Sequence, residues 1–208
     1  MTGSAAFWYA SRATGVVALV LLTLTLTLGL AVTRQGRLPG LPRFAVTGLH
    51  RNLSLLGVAF IAVHVLTAVL DSYVSIPLAA VVIPLASGYE RLWLSLGAVA
   101  FDLLLALIAT SLLRGRLPRS CWRPIHLLAY LCWPVAFLHG LGAARDLRHG
   151  LPLDLAVGCA LVLAAAVSWR LAGAARQTPR AGRVAEVFRE HGRRTYQSGR
   201  PAPERSAR

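Results

Sequence analysis

The chain has 208 residues, 56% apolar and only 14% charged, with a mean hydropathy of +0.59, where a soluble domain carries nearer a quarter charged residues. Its apolar residues fall in blocks of about 20, the length that crosses a bilayer as a helix, so the chain is expected to be an integral membrane protein. The net charge of +14 comes from Arg alone, with no Lys; this reads as the codon bias of a GC-rich genome, not as a nucleic-acid signature. The longest stretch outside the blocks, the C-terminal tail, is shorter than the roughly 50 residues at which soluble domains begin, so no attached nucleotide-binding domain is expected.

In chain order, the first block runs from about Thr14 to Thr33, with Phe7, Trp8, Tyr9 and Arg12 as interfacial anchors. It is too long for a signal-peptide core and has no convincing cleavage site, so it is retained as a membrane helix. The second runs from about Thr47 to Leu70, the third from Leu92 to Leu113, the fourth from Trp122 to Leu141 and the fifth from Leu151 to Leu171. Between the second and third lies an apolar stretch, Val74 to Ala86, broken by Pro77 and Pro84. It is too short to span and reads as an interfacial or re-entrant segment lidding one side of the bundle. The expected fold is therefore all-α: a polytopic bundle of five transmembrane helices over residues 1–173, followed by an Arg-rich, mostly disordered tail over 174–208. Within that tail, Val184 to Arg189 could form a turn of helix on anionic lipid.

Arginine also orients the chain. Arg34, Arg37, Arg43 and Arg51 border the first loop, Arg114, Arg116, Arg119 and Arg123 fill the third, and nine Arg follow Arg170. Short Arg-rich loops face the cytoplasm, so the N-terminus is expected outside and the C-terminus inside a bacterial plasma membrane. Cys121, Cys132 and Cys159 have no metal-ligand or disulfide spacing and read as small packing residues.

Four of the six His, namely His50, His64, His126 and His139, lie on the apolar blocks, where an ionisable residue is costly and points to function. His50 and His64 are 14 residues apart, about 21 Å of helix and about 40° from the same face; His126 and His139 are 13 apart, about 19.5 Å. The second and fourth helices run in the same direction, so His50 is level with His126 and His64 with His139. Two opposed imidazoles at each of two depths suit haem iron, which takes axial ligands from both faces of a flat ring. A tetrahedral zinc site would want its ligands at one depth. One feature resists: 13 residues of ideal helix leave His139 about 140° from the face of His126, unless Pro134 distorts the helix.

These spacings, the pair His50 and Arg51, the string WRPIHLLAYLCWPVAFLHG from Trp122 to Gly140 and the opening YASRATG from Tyr9 to Gly15 resemble the ferric reductase-like transmembrane domain. That family includes ferric reductases, NADPH oxidases and the haem subunit of bacterial periplasmic methionine sulfoxide reductase. The resemblance implies two b-type haems, an inner one held by His50 and His126 and an outer one held by His64 and His139. Electrons would pass from a cytoplasmic donor to an outer acceptor or redox partner. The flavin and nicotinamide domains of ferric reductases and oxidases do not follow the bundle here, so the expected donor is a separate flavoprotein reductase or a membrane quinol. Oxidases of the family carry a further His one turn after the outer ligand, where this chain has Ala68, so superoxide production is not expected.

Haem propionates need cations near the membrane faces; Arg51 and Arg123 are placed for the inner ring and Arg12 for the outer one, or all three are topology charges. Gly57, seven residues from both His50 and His64, either leaves room for porphyrin or packs helices. Trp133, near the middle of the fourth helix, is a candidate bridge between the rings or a packing residue. Asp102, mid-way along the third helix, is a protonated or hydrogen-bonded interior residue or a proton relay. Two other functions compete with an electron conduit: a transition-metal transporter or sensor using the same His, and a non-redox membrane anchor for a partner protein.

Overall fold

Each long apolar block folds as a helix, because a backbone with no water to bond must satisfy its polar groups within the segment. The structure is a computed structural model that describes residues 2–33, 42–72, 74, 76–144 and 148–172. In chain order the helices are α1 (Thr2–Thr33), α2 (Arg43–Leu70), the short α3 (Ala79–Val82), α4 (Arg91–Leu112), α5 (Arg119–Leu127), α6 (Ala129–Ala143) and α7 (Gly150–Ala172). With α5 and α6 counted as one span, five are long and apolar enough to cross a membrane. No strand occurs among the described residues, so the fold is all-α. The chain divides into two compact units, Met1–Ala166 and Val167–Arg208; the described part of the second is the end of α7. The tail expected to be disordered lies outside the described residues, as do Arg34, Arg37, Arg145 and Asp146.

Inside the first unit, α1 pairs with α2, α4 pairs with α5 and α6, and α1 also touches α6. The centre of packing is the cluster Leu26, Trp133 and Cys159, which joins α1, α6 and α7. Trp133 is buried there, and its Nε1 donates to Thr23 Oγ1 at 2.8 Å. Large apolar side chains point outward instead, among them Leu55, Leu66, Leu112 and Leu161, each more than half exposed. Outward Leu on every long helix is the pattern of a bundle whose solvent is hydrocarbon. Hydroxyls within the spans are satisfied locally: Thr23, Thr27, Ser54, Thr67 and Thr110 each donate to a carbonyl one turn back.

The fourth span is not one ideal helix. It breaks at Leu128, where Leu128 N bonds Ile125 O and Leu131 N bonds Leu128 O, both three residues back. Such a turn winds at about 3.0 residues per turn, tighter than the α-helix, and overwinding carries His139 toward the face of His126. The overwinding at Leu128 acts in the sense that alignment of the two His requires. Pro134, the residue to which the sequence pointed, lies within α6.

The segment between α2 and α4 packs on α4 through α3. Ala80 of α3 is buried, and Leu85 N donates to Ser95 Oγ of α4 at 2.8 Å.

Candidate functional site

His64 of α2 and His139 of α6 face one another, their ring centroids 6.3 Å apart and their planes at 76°. Two imidazoles ligating one metal at about 2 Å each would have centroids roughly 6 Å apart. The spacing therefore suits a single metal ion between them. Each ring is also oriented: His64 Nδ1 lies 2.8 Å from Ser11 O and His139 Nδ1 lies 2.7 Å from Trp93 O. A carbonyl can only accept, so Nδ1 carries the proton in both rings and the Nε2 lone pair is left for a ligand.

The same arrangement recurs at the next level. His50 Nδ1 donates to Thr25 O at 3.0 Å. All three anchoring carbonyls have a glycine four residues further along their helix: Gly15 after Ser11, Gly29 after Thr25 and Gly97 after Trp93. A helical carbonyl points along the axis toward residue i+4, so a side chain there would cover it. Added methyl groups measure the fit. A Cβ on Gly97 would come within 2.7 Å of His139 Cε1, one on Gly15 within 3.0 Å of His64 Cε1, and one on Gly29 within 3.4 Å of His50 Cε1. The three glycines are seats for three imidazoles. Gly142 serves the same level more indirectly, since a Cβ there would land in the ring of Trp93, whose carbonyl anchors His139.

An apolar cavity of about 280 Å³ opens beside the His64 and His139 rings, lined also by Arg12, Gly15, Gly97, Ala80 and Asp71. The segment expected as a lid does contribute to its wall, through Val74, Ile76, Ala80 and Val81. Arg12 lies within electrostatic reach of both imidazoles. Its Nη1 donates to Ala143 O at 3.2 Å, and its guanidinium sits 5.2 Å from the Trp8 ring.

His126 is held differently. Its expected partner, His50, is anchored separately, on Thr25 O of α1. The His126 ring stacks on Trp122 with centroids 4.5 Å apart and planes at 18°, and the Arg114 guanidinium lies 4.7 Å from the Trp122 ring. Its Nδ1 is buried without a hydrogen-bond partner among the described residues. Arg123 is exposed and lines a second cavity with Arg114, Arg119 and Trp122, while Arg51 is exposed on α2.

Trp133 lies between the two levels. Thr23, which it bonds, falls between Gly15 and Gly29 on α1, and the indole stacks on Phe137 at 5.0 Å. Gly57 is buried, but a Cβ there would meet only Leu21 Cβ at an ordinary 3.7 Å, which is helix packing. Asp102 is half-buried on α4 and does not line the cavity beside His64 and His139. Sequence reasoning missed Gly29, Gly97 and the three carbonyls. Gly15 and Gly29 did carry a signal, since their spacing of 14 equals that of His50 and His64 on the antiparallel partner helix.

Among the described residues no three His, Cys, Asp or Glu side chains converge as a metal-binding group; His64 and His139 face each other as a pair of imidazoles. No match was found among curated proteins or among solved structures. A family profile described as ferric reductase like transmembrane component matches residues 14–137, a stretch that takes in α2, α4 and all of the fourth span up to Phe137. With more than half of its length matched and the bundle that this match implies, the chain belongs to the ferric reductase like transmembrane family, a membrane protein of redox type.

Proposed function

We propose that this protein is a transmembrane electron conduit that holds two b-type haems, one between His64 and His139 and one between His50 and His126. The carrying observation is the 6.3 Å approach of His64 and His139 with both Nδ1 atoms committed to backbone carbonyls. Hydrogen-bonded Nδ1 with a free Nε2 is the arrangement by which proteins orient a ligating imidazole. Bound there, haem would supply one-electron ferric and ferrous chemistry, and two axial His would leave no open position for other reactions.

The chain's own residues set position, polarity and access. Ser11, Thr25 and Trp93 fix the imidazole planes through their carbonyls, and Gly15, Gly29 and Gly97 let the rings approach. The apolar walls exclude water at the His64 level, which lowers the local dielectric and favours a neutral ligand pair. Arg12 stands at that cavity as the cation for carboxylate groups, with Arg51 and Arg123 in the same role at the other level. The Arg-rich third loop and tail support an orientation with the His50 level toward the cytoplasm and the His64 level toward the outside of the plasma membrane. Electrons would enter from a separate flavoprotein or a membrane quinol and leave to an acceptor on the outer side.

A reduced-minus-oxidised spectrum of the purified protein tests this reading. The wild type is expected to show a strong b-type haem band, and His64→Ala and His139→Ala each to lose about half of it. A colourless wild type, or variants with unchanged haem content, would overturn the assignment.

A further inference from the structure

The Arg side chains of this protein differ in what they hold. Arg12 donates to Ala143 O, Arg91 Nε to Leu85 O and Arg148 Nε to Leu141 O. Arg114 and Arg119 make no side-chain hydrogen bond and no ion pair among the described residues. Both line the second cavity, about 680 Å³ in volume, together with Ser120, Trp122 and Arg123. No carboxylate lines that cavity among the described residues, and the first turn of α5 has no acidic residue. Cations gathered without a counter-ion repel one another, so the arrangement gains stability from a bound anion.

Chemistry and depth together identify the anion. A guanidinium is a planar fork that can bond two oxygens of one phosphate. Arg114 is braced for this: its guanidinium lies 4.7 Å from the Trp122 ring, a contact that restrains a long side chain before any ligand arrives. The Ser120 hydroxyl adds a neutral donor. Depth then selects among phosphates. One membrane span, Arg91–Leu112, ends two residues before Arg114, and the next, Arg119–Ala143, begins at Arg119 itself. The cavity therefore lies where apolar span gives way to polar turn, the level at which a bilayer carries its headgroups. Leu112, the last residue of α4, is 81% exposed and offers apolar surface to an acyl chain.

We propose that Arg114, Arg119 and Ser120 bind the phosphate of one anionic phospholipid at the turn between α4 and α5. Arg123 lines the same cavity, but its role given above is at the haem, so the lipid site rests on the other two cations. The site does not depend on the haem reading. It differs from the general attraction of a basic loop for anionic lipid by position: Arg116, in the same turn, does not line the cavity.

The full-length protein in detergent tests this, supplied with dioleoylphosphatidylglycerol and read by native mass spectrometry as lipid retained per chain. Arg114→Gln and Arg119→Gln should each weaken retention of one lipid by about tenfold or more, the effect of losing a charge-assisted hydrogen bond. Arg116→Gln removes the same charge from the same turn and should leave retention as in wild type. An equal loss in all three variants, about fivefold for each charge, would reveal only the summed field of the loop and overturn the site. Unchanged retention in Arg114→Gln and Arg119→Gln would overturn it as well. On wild type alone, dioleoylphosphatidylcholine, with the same chains and no net charge, should fail to displace the anionic lipid; equal retention of the two lipids would refute the proposal without any variant. Inorganic phosphate at the same concentration should also fail to displace it, and success would reassign the cavity to a soluble phosphate compound. Haem content in Arg119→Gln should match wild type. A fall there, with lipid retention unchanged, would assign Arg119 to a haem carboxylate and overturn the lipid site while leaving the proposed function standing.

Discussion

The His64 level and the His50 level use the same ingredients and differ in how completely they are held. At the first, two rings face each other at 6.3 Å, both with backbone acceptors and both seated on glycine. At the second, His50 has its acceptor and its glycine, while His126 is supported by the stack of Trp122 and Arg114. An imidazole hydrogen-bonded at Nδ1 has a fixed plane and tautomer; a stacked one is fixed in plane only. The contrast shows that orientation here is built mainly from α1 and α4, the helices that carry no His of the two pairs.

Removing rings gives the largest effect that could break this comparison. His64→Ala and His139→Ala should each abolish binding at one level and spare the other, read as a halved haem-to-protein ratio. Loss of both haems from one substitution would show that the levels are not independent.

Filling the glycine seats should give a graded series. Overpacking a tight contact costs about 1–3 kcal/mol. With methyl contacts of 2.7, 3.0 and 3.4 Å, Gly97→Ala should destabilise most, Gly15→Ala less and Gly29→Ala least, measured by thermal unfolding in detergent. The first two should also hasten haem loss from the His64 level only. An inverted order would refute the seating geometry.

Trp133→Phe removes the bond to Thr23 while keeping most of the packing, and should cost about 1 kcal/mol. Haem content should survive it, as expected of a residue that ties the levels together by packing and one hydrogen bond. The smallest change belongs to Gly57→Ala, where the new methyl meets only ordinary contact. Stability should move by less than about 1 kcal/mol, with haem content unaltered; a clear loss of haem would restore the reading of Gly57 as porphyrin space.

Much of this architecture is legible in the sequence, because bilayer thickness imposes a length on apolar blocks and a helix imposes a rise on spaced His. The five spans and the pairing of His64 with His139 follow from those two rules. The alignment of the fourth span does not. Pro134 is the visible helix breaker, yet the overwinding lies at Leu128, a residue with no helix-breaking side chain. The carbonyl anchors are hidden for a different reason: a main-chain acceptor leaves no mark at its own position. Only the residue one turn later records it, as glycine at 15, 29 and 97. A matched spacing of glycines on one helix and His on its antiparallel neighbour is the pattern that would have revealed two of them.

Because Ser11, Thr25 and Trp93 contribute peptide oxygens to their imidazoles, no exchange of side chain at those three positions can delete the acceptor itself. Mutational vulnerability is displaced by one helical turn, onto glycines that contribute no side chain of their own. For anyone transplanting this arrangement into a designed bundle, the instruction is short: choose the histidine, count across to the facing strand of peptide groups, and keep the fourth residue beyond it bare.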